Sequence, residues 1–183
     1  MLRFLQSVID ILLPRRDRVI RIDSYSLQDL LIEPTVHELH GTEITALMSY
    51  RTKAVDDLVR ALKYDRAAHA AKLLAEALAE YVREELSQIQ LFSHREIHLV
   101  PVPLHENRLR DRGFNQMEVI LQKLPKEFRD GTLSHLSPHL LKRTRDTAQQ
   151  TRLSRDERLK NVAGAFSVPN VSAVRYVNII LVD

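Results

Sequence analysis

Three arginines at alternate positions, Arg108, Arg110 and Arg112, are followed at once by Gly113 and then by the amides Asn115 and Gln116. Before them, His98-Leu-Val-Pro-Val-Pro-Leu-His105 is a short apolar run ending in a proline-stiffened corner. Guanidinium groups pair with phosphate oxygens through charge-assisted, often bidentate hydrogen bonds. Glycine permits a positive φ or the close approach of a ligand to the backbone. In an extended loop alternate residues point to one side, so the arginines would converge on a phosphate or pyrophosphate. The same composition also suits a solvated basic loop. A second polar stretch, Lys142 to Arg152, carries Arg143, Arg145 and Arg152 with Gln149, Gln150 and Thr151 and has no hydrophobic periodicity. It reads either as a mobile lid over an anionic substrate or as an ordinary surface loop. The third feature is Asp183, which follows the apolar run Val177-Asn-Ile-Ile-Leu-Val182. An acid at the carboxyl end of a parallel strand faces the ligand crevice. There it can accept hydrogen bonds from sugar hydroxyls or hold a hydrated Mg²⁺.

The elements that must position these groups follow from periodicity. Pro101 and Pro103 fix their own φ and bias Val100 and Val102 toward extended geometry. Ile97 to Val102 is therefore expected as a strand covered on both faces. Phe114 to Leu124 should be a helix with Met117, Ile120, Leu121 and Leu124 inward. Pro125 to Pro138 reads as a polar connector, and Leu140-Leu141 as the start of an extended segment. Ser154-Arg-Asp-Glu157 is a capping box that opens a helix to about Val162, and Gly164 to Val168 returns to extended structure. Upstream, Lys53 to Tyr64 is expected as a helix burying Val55, Leu58, Val59 and Leu62. Asp65 offers an N-cap for an alanine-rich helix ending near Glu84 and Glu85. Ile44 to Tyr50 and Val19 to Ile22 read as strands, and Leu27 to Ile32 as a helical turn stopped before Pro34. Met1 to Pro14 reads as an amphipathic helix, since Gln6 and Asp10 interrupt its apolar core. Arg15-Arg-Asp-Arg18 is either a solvated connector or a minor anion patch. His37 and His40 form a surface pair that lacks a third metal ligand. Apolar runs separated by helices indicate an α/β class with a parallel sheet.

Bulk properties narrow the field. A chain of 183 residues suits one domain with a small appendage, and 44% hydrophobic with 28% charged residues suits a soluble globular protein. The net charge of +3 is far from that of a histone-like polycation. The absence of cysteine excludes disulfides and cysteine-based zinc sites, which is compatible with a cytoplasmic location. No apolar run reaches transmembrane length.

Several segments come in a telling order: Leu99-Val-Pro-Val-Pro-Leu-His105, the Arg-x-Arg-x-Arg-Gly-Phe-Asn-Gln run of 108–116, Arg143-Thr-Arg-Asp-Thr147, Gln150-Thr-Arg-Leu-Ser-Arg155, Glu157-Arg-Leu-Lys-Asn-Val162, Gly164-Ala-Phe166 and Ile180-Leu-Val-Asp183. With Leu62-Lys-Tyr64 upstream, this ordered set resembles the ComF family of competence-associated, phosphoribosyltransferase-like proteins, from about Tyr50 onward. The resemblance implies a type I phosphoribosyltransferase-like α/β fold, a parallel sheet flanked by helices. It further implies a small N-terminal subdomain over residues 1–45 and the phosphoribosyltransferase-like domain over 46–183. His105, Arg108, Arg112, Gly113, Asn115 and Gln116 would then bind the pyrophosphate of phosphoribosyl pyrophosphate (PRPP), which comes with Mg²⁺. Arg143, Arg145, Gln150, Thr151 and Arg152 would belong to a flexible loop over the site. Asp183 would be the catalytic acid that orients the ribose.

Two departures qualify the match. The family's N-terminal cysteines, which resemble a zinc ribbon, are absent, so no zinc is expected. The family's second acid and phosphate-binding turn do not follow Asp183. The expectation is a chain incomplete at its C-terminus, inactive by itself, with an exposed apolar edge strand that favours homo-oligomers. The implied activity is transfer or recognition of a phosphoribosyl group. The alternative is a non-enzymatic competence protein that assists uptake of single-stranded DNA through its basic loops, with that DNA or other competence proteins as partners. An aromatic content of 5% weakens any base-stacking platform.

Overall fold

The computed structural model describes residues 17–39, 41–148 and 153–183. The expected helix before Pro14 lies outside them, as do His40, Gln149, Gln150, Thr151 and Arg152. The protein is mixed α/β and divides into two units, Met1–Leu78 and Ala79–Asp183.

In the first unit, α1 (Asp17–Ile22) packs on α2 (Lys53–Asp65), with a hairpin of β1 (Ile32–Leu39) and β2 (Thr42–Met48) between them in sequence. The sequence suggested a strand for Val19 to Ile22, but the segment is helical. The helix puts Arg18, Arg21 and Ile22 on one side. Arg18 then reaches Asp65 at 2.9 Å and Arg21 reaches Asp57 at 2.9 Å, both on α2, while Ile22 is fully buried. In a strand Arg18 and Arg21 would face opposite ways. Asp65 accordingly ends α2 and does not cap the next helix; Arg66 closes the turn in the left-handed region (φ 51°) with its N–H on the Ala61 carbonyl. The helical turn before Pro34 shrinks to a 3-10 turn, Leu27–Asp29, and β1 runs through Pro34. The ladder register shifts between Ile32 and Thr35, which accommodates a residue with no N–H to donate.

Helix α3 (Ala68–Phe92) continues well past Glu84 and Glu85. Val82 and Leu86 are buried and extend the apolar stripe. Those two glutamates therefore lie within the helix and do not terminate it.

In the second unit, β3 (Ile97–Pro101) is the middle of a three-stranded parallel sheet ordered β4-β3-β7, with β4 (His135–Leu136) and β7 (Asn178–Val182) at its flanks. Ile97, Leu99 and Val100 are buried, as expected for a strand covered on both faces. Between β3 and β4 come α4 (Glu106–Arg112) and α5 (Gln116–Leu121). Helix α5 packs on β3, burying Ile120 and Leu121. Strand β4 falls inside the expected connector. Two residues are too few to show periodicity. The strand is fixed instead by its partner, for the His135 ring stacks on His98 with centroids 5.2 Å apart. Finally β5 (Lys142–Arg143) pairs antiparallel with β6 (Phe166–Ser167), and α6 (Arg155–Val162) lies between them in sequence. Helix α6 opens on the expected Ser154–Glu157 capping box.

In the first unit a buried carboxylate, Asp57, lies under several donors. Asp57 is 2% exposed and receives Arg21, Lys53 at 2.5 Å and the Tyr25 hydroxyl at 3.2 Å. The Arg21 guanidinium foremost, helped by Lys53 and Tyr25, holds its carboxyl well below the usual carboxylate range. A carboxyl depressed in the folded state contributes its stability in full above its unfolded pKa, about 3.9, and loses it as pH falls further. Asp57→Asn should therefore lose about 2–3 kcal/mol at neutral pH. It should also flatten the decline in melting temperature that the unsubstituted protein should show below about pH 4. Thermal melts of both proteins across acid pH test this.

Candidate functional site

The parallel register brings two strand ends together. Pro101 pairs with Val182, and Val102 N–H donates to the Val182 carbonyl at 2.9 Å. Asp183 therefore emerges beside the corner that leads from β3 into α4. Asn115 braces that corner. Its Oδ1 accepts from Met117 N at 3.1 Å, capping α5, and its Nδ2 donates to the Val102 carbonyl at 3.0 Å.

The arginine run is a helix, which overturns the expectation of an extended loop with three arginines on one side. Glu106 in the first turn and Arg110 and Arg112 in the last suit the helix dipole. Gly113 closes the helix at φ 81° with its N–H on Leu109 O at 2.7 Å, a conformation that favours glycine. In a helix Arg108 and Arg112 share a side and Arg110 is turned away. Arg110 bonds Asn107 Oδ1 at 2.5 Å, and Arg112 bonds Gln116 Oε1. Arg108 reaches the second basic segment, donating to Thr147 O at 2.5 Å.

That segment is fixed by long-range bonds in its described part. Arg143 is 9% exposed, lies in β5 and stacks over the Phe166 ring at 5.3 Å. It donates to Thr147 Oγ1, so Thr147, itself buried, joins Arg108 and Arg143. Arg145 caps the end of α6, donating to Asn161 O at 3.0 Å and Ala163 O at 2.8 Å. Asn161 in turn exchanges hydrogen bonds with Ala148 N and O.

The electrostatics concentrate on Arg143. Its Nε has no hydrogen-bond partner among the described residues. Burial foremost, then the Arg108 charge, lowers its pKa, while Asp146 and Asp183 oppose that shift. A buried, incompletely satisfied guanidinium is a strong attractor for an anion.

Three further residues belong to this cluster and were not singled out from sequence: Asn107, Asp146 and Thr147. Asn107 Nδ2 donates to Asp146 Oδ2 at 2.9 Å, and that carboxylate lies 3.7 Å from His105 Nδ1. The same Nδ1 accepts from Asn107 N at 3.3 Å. A ring nitrogen that accepts cannot also donate, so His105 caps α4 and stands beside Asp146 without donating to it through Nδ1. The dipole-matched charges and the glycine after Arg112 were the local signals for a helix at 106–112. The link to Asp146 spans 39 residues and leaves no local pattern. Arg108 and Arg143 meet at Thr147, His105 and Arg108 flank Asp146, and the Asp183 charge acts on Arg143; Arg112 and Gln116 pair with each other between α4 and α5.

Among the described residues no group of three or more His, Asp or Glu is placed to hold a metal ion, and no helix is long and apolar enough to cross a membrane.

Two substitutions test this construction by thermal or urea melts. Thr147→Val leaves a second buried Arg143 donor without its acceptor and should cost about 1–3 kcal/mol. Asn115→Ala removes the α5 cap and the brace to Val102, and should cost about 1–2 kcal/mol. A loss below about 0.5 kcal/mol in either variant would contradict the role given to that side chain. A scan against protein-family models finds no match for this chain, and a search of the curated proteins finds none either.

Proposed function

We propose that the protein binds a pyrophosphate-bearing sugar phosphate, PRPP with Mg²⁺, and recognises or transfers its phosphoribosyl group, in keeping with the resemblance to the ComF family and the type I phosphoribosyltransferase fold. The observation that carries this reading is the buried Arg143 guanidinium, whose Nε finds no partner among the described residues, joined to Arg108 through Thr147. Two adjacent cations, one of them desolvated, repel each other. Their juxtaposition is stabilised when a polyanion enters between or beside them, and the attraction strengthens as water is excluded.

The chemistry such a site supports is mainly positioning and charge stabilisation. Phosphoribosyl transfer breaks the bond between the sugar's anomeric carbon and pyrophosphate, which departs, and forms one from that carbon to an acceptor nucleophile, through an oxocarbenium-like state. Arg108 and Arg143 would take up charge developing on the departing pyrophosphate. Asp183 would orient the ribose hydroxyls. Mg²⁺, held by phosphate oxygens with Asp183 as the available carboxylate, would spread the same negative charge; it commonly binds through one or two carboxylates plus substrate phosphates, so no protein cage is required.

A thermal-shift titration tests the reading on the full chain. PRPP with Mg²⁺ should raise the melting temperature, by about 2.7 kcal/mol of stabilisation at a hundredfold excess over Kd. Arg108→Ala should remove most of the shift. No shift at about millimolar PRPP, roughly −4 kcal/mol of binding, would sink the proposal. Binding of single-stranded DNA that ignores PRPP and falls steeply with salt would replace it with the DNA-uptake reading.

A further inference from the structure

Asp146 lies where an anionic ligand would be expected. Its carboxylate accepts from Asn107 Nδ2 at 2.9 Å and stands 3.7 Å from His105 Nδ1 and 4.0 Å from Arg108 Nε. The Asn107 hydrogen bond first, then the nearby His105 and Arg108, lowers its carboxyl below the ordinary value. These groups come from the corner and first turn of α4, whereas Asp146 comes from the segment after β5.

We propose that Asp146 is an internal stand-in for a ligand phosphate: it occupies the His105–Asn107–Arg108 cluster in the ligand-free protein, a phosphate must displace it, and it thereby sets the affinity and charge selectivity of the site. This rests on the phosphate-binding reading above and adds a residue that reading does not use.

The contacts are suited to exchange. One of the three is a hydrogen bond of ordinary length, and the other two are long. The Asp146 side chain is 47% exposed, and exposed ion pairs of this kind are weak. The backbone around it is fixed separately, by Arg108 on Thr147 O, by Arg145 on Asn161 O and Ala163 O, and by the Ala148–Asn161 exchange. Rotation of one side chain vacates the cluster, and the segment need not open. A pyrophosphate or phosphate dianion brings more charge and more acceptor oxygens than a carboxylate, so it gains by the exchange. A simple carboxylate only replaces like with like. The site should therefore select phosphate-bearing ligands against carboxylates.

Calorimetric titration with inorganic pyrophosphate, and with acetate for comparison, tests the inference on the unsubstituted protein, Asp146→Asn, Asp146→Ala and Glu106→Gln. Glu106 pairs with Lys142 at 3.3 Å, so its substitution removes the same charge nearby without vacating the cluster. Pyrophosphate should bind both Asp146 variants about three- to fivefold tighter. Acetate should gain at least as much, and Glu106→Gln should change neither by more than about twofold. Unchanged or weaker pyrophosphate binding in the Asp146 variants, with binding to the unsubstituted protein intact, overturns the inference and leaves the phosphate reading standing. Equal tightening in Glu106→Gln overturns it in favour of a general charge effect. Absence of pyrophosphate binding in all four proteins overturns both.

Discussion

The parallel pairing of β3 with β7 is the constraint on which the candidate site depends. The two strands are far apart in sequence, yet their ladder runs from Ile97 opposite Asn178 to Pro101 opposite Val182. Parallel strands point their carboxyl ends the same way, so the pairing sets the corner after Pro101 beside Asp183. The backbone bond from Val102 N to Val182 O carries the ladder one step beyond β3, into the corner itself. Asn115 then fixes the corner from the other side through the same residue's carbonyl. Val102 is thus held at both its N–H and its C=O. The loop leading to α4 therefore has a defined direction before any side chain of the site is considered.

Within that frame the basic side chains are held mostly by uncharged acceptors. Arg108 bonds a backbone carbonyl, Arg143 a hydroxyl, and Arg145 two carbonyls. Neutral acceptors fix a guanidinium's orientation without cancelling its charge. The cost of holding Arg143 largely out of water is accordingly not offset by a close carboxylate hydrogen bond; its effect is visible in the direction of the Arg143 shift. This is the arrangement expected of a preorganised electrostatic site, in which the donors are aligned before the anion arrives. The first unit shows the opposite design. There Asp57 is surrounded by Arg21, Lys53 and Tyr25, and the close charge pairing serves packing between α1 and α2.

Much of the framework was legible because it rests on local patterns. The apolar run of β3, the stripe of α2, the capping box of α6 and the apolar run of β7 each carry their own signal. What was not legible depends on partners far along the chain. Strand β4 is two residues long and exists through its pairing with β3. Val19 to Ile22 has β-branched residues that favour a strand, but Arg18 and Arg21 find carboxylates only if the segment is helical. At 106–112 the alternation of arginines invited an extended reading. The helix prevails because His105 and Gly113 cap it at either end. In the site, Arg108, Arg143 and Asp183 could be named from residue type and position, whereas Thr147 and Asp146 could not. Their roles come from bonds spanning 39 residues.

Thr147 shows why those missing residues matter. Its carbonyl and hydroxyl receive two arginines from different elements, so a single buried residue fixes the spacing of two positive charges. The residue before it, Asp146, faces the same helix but carries the opposite charge. Adjacent positions of one short segment therefore do opposing things: Thr147 holds the cations in place, and Asp146 partly satisfies them. A buried guanidinium beside a half-buried one, Arg143 beside Arg108, would be pushed apart by mutual repulsion. The neutral bridge resists that geometrically, and the half-exposed carboxylate lessens it electrostatically while remaining weak enough to yield. The segment can thus keep the site assembled when empty and still leave its charge available to a stronger anion.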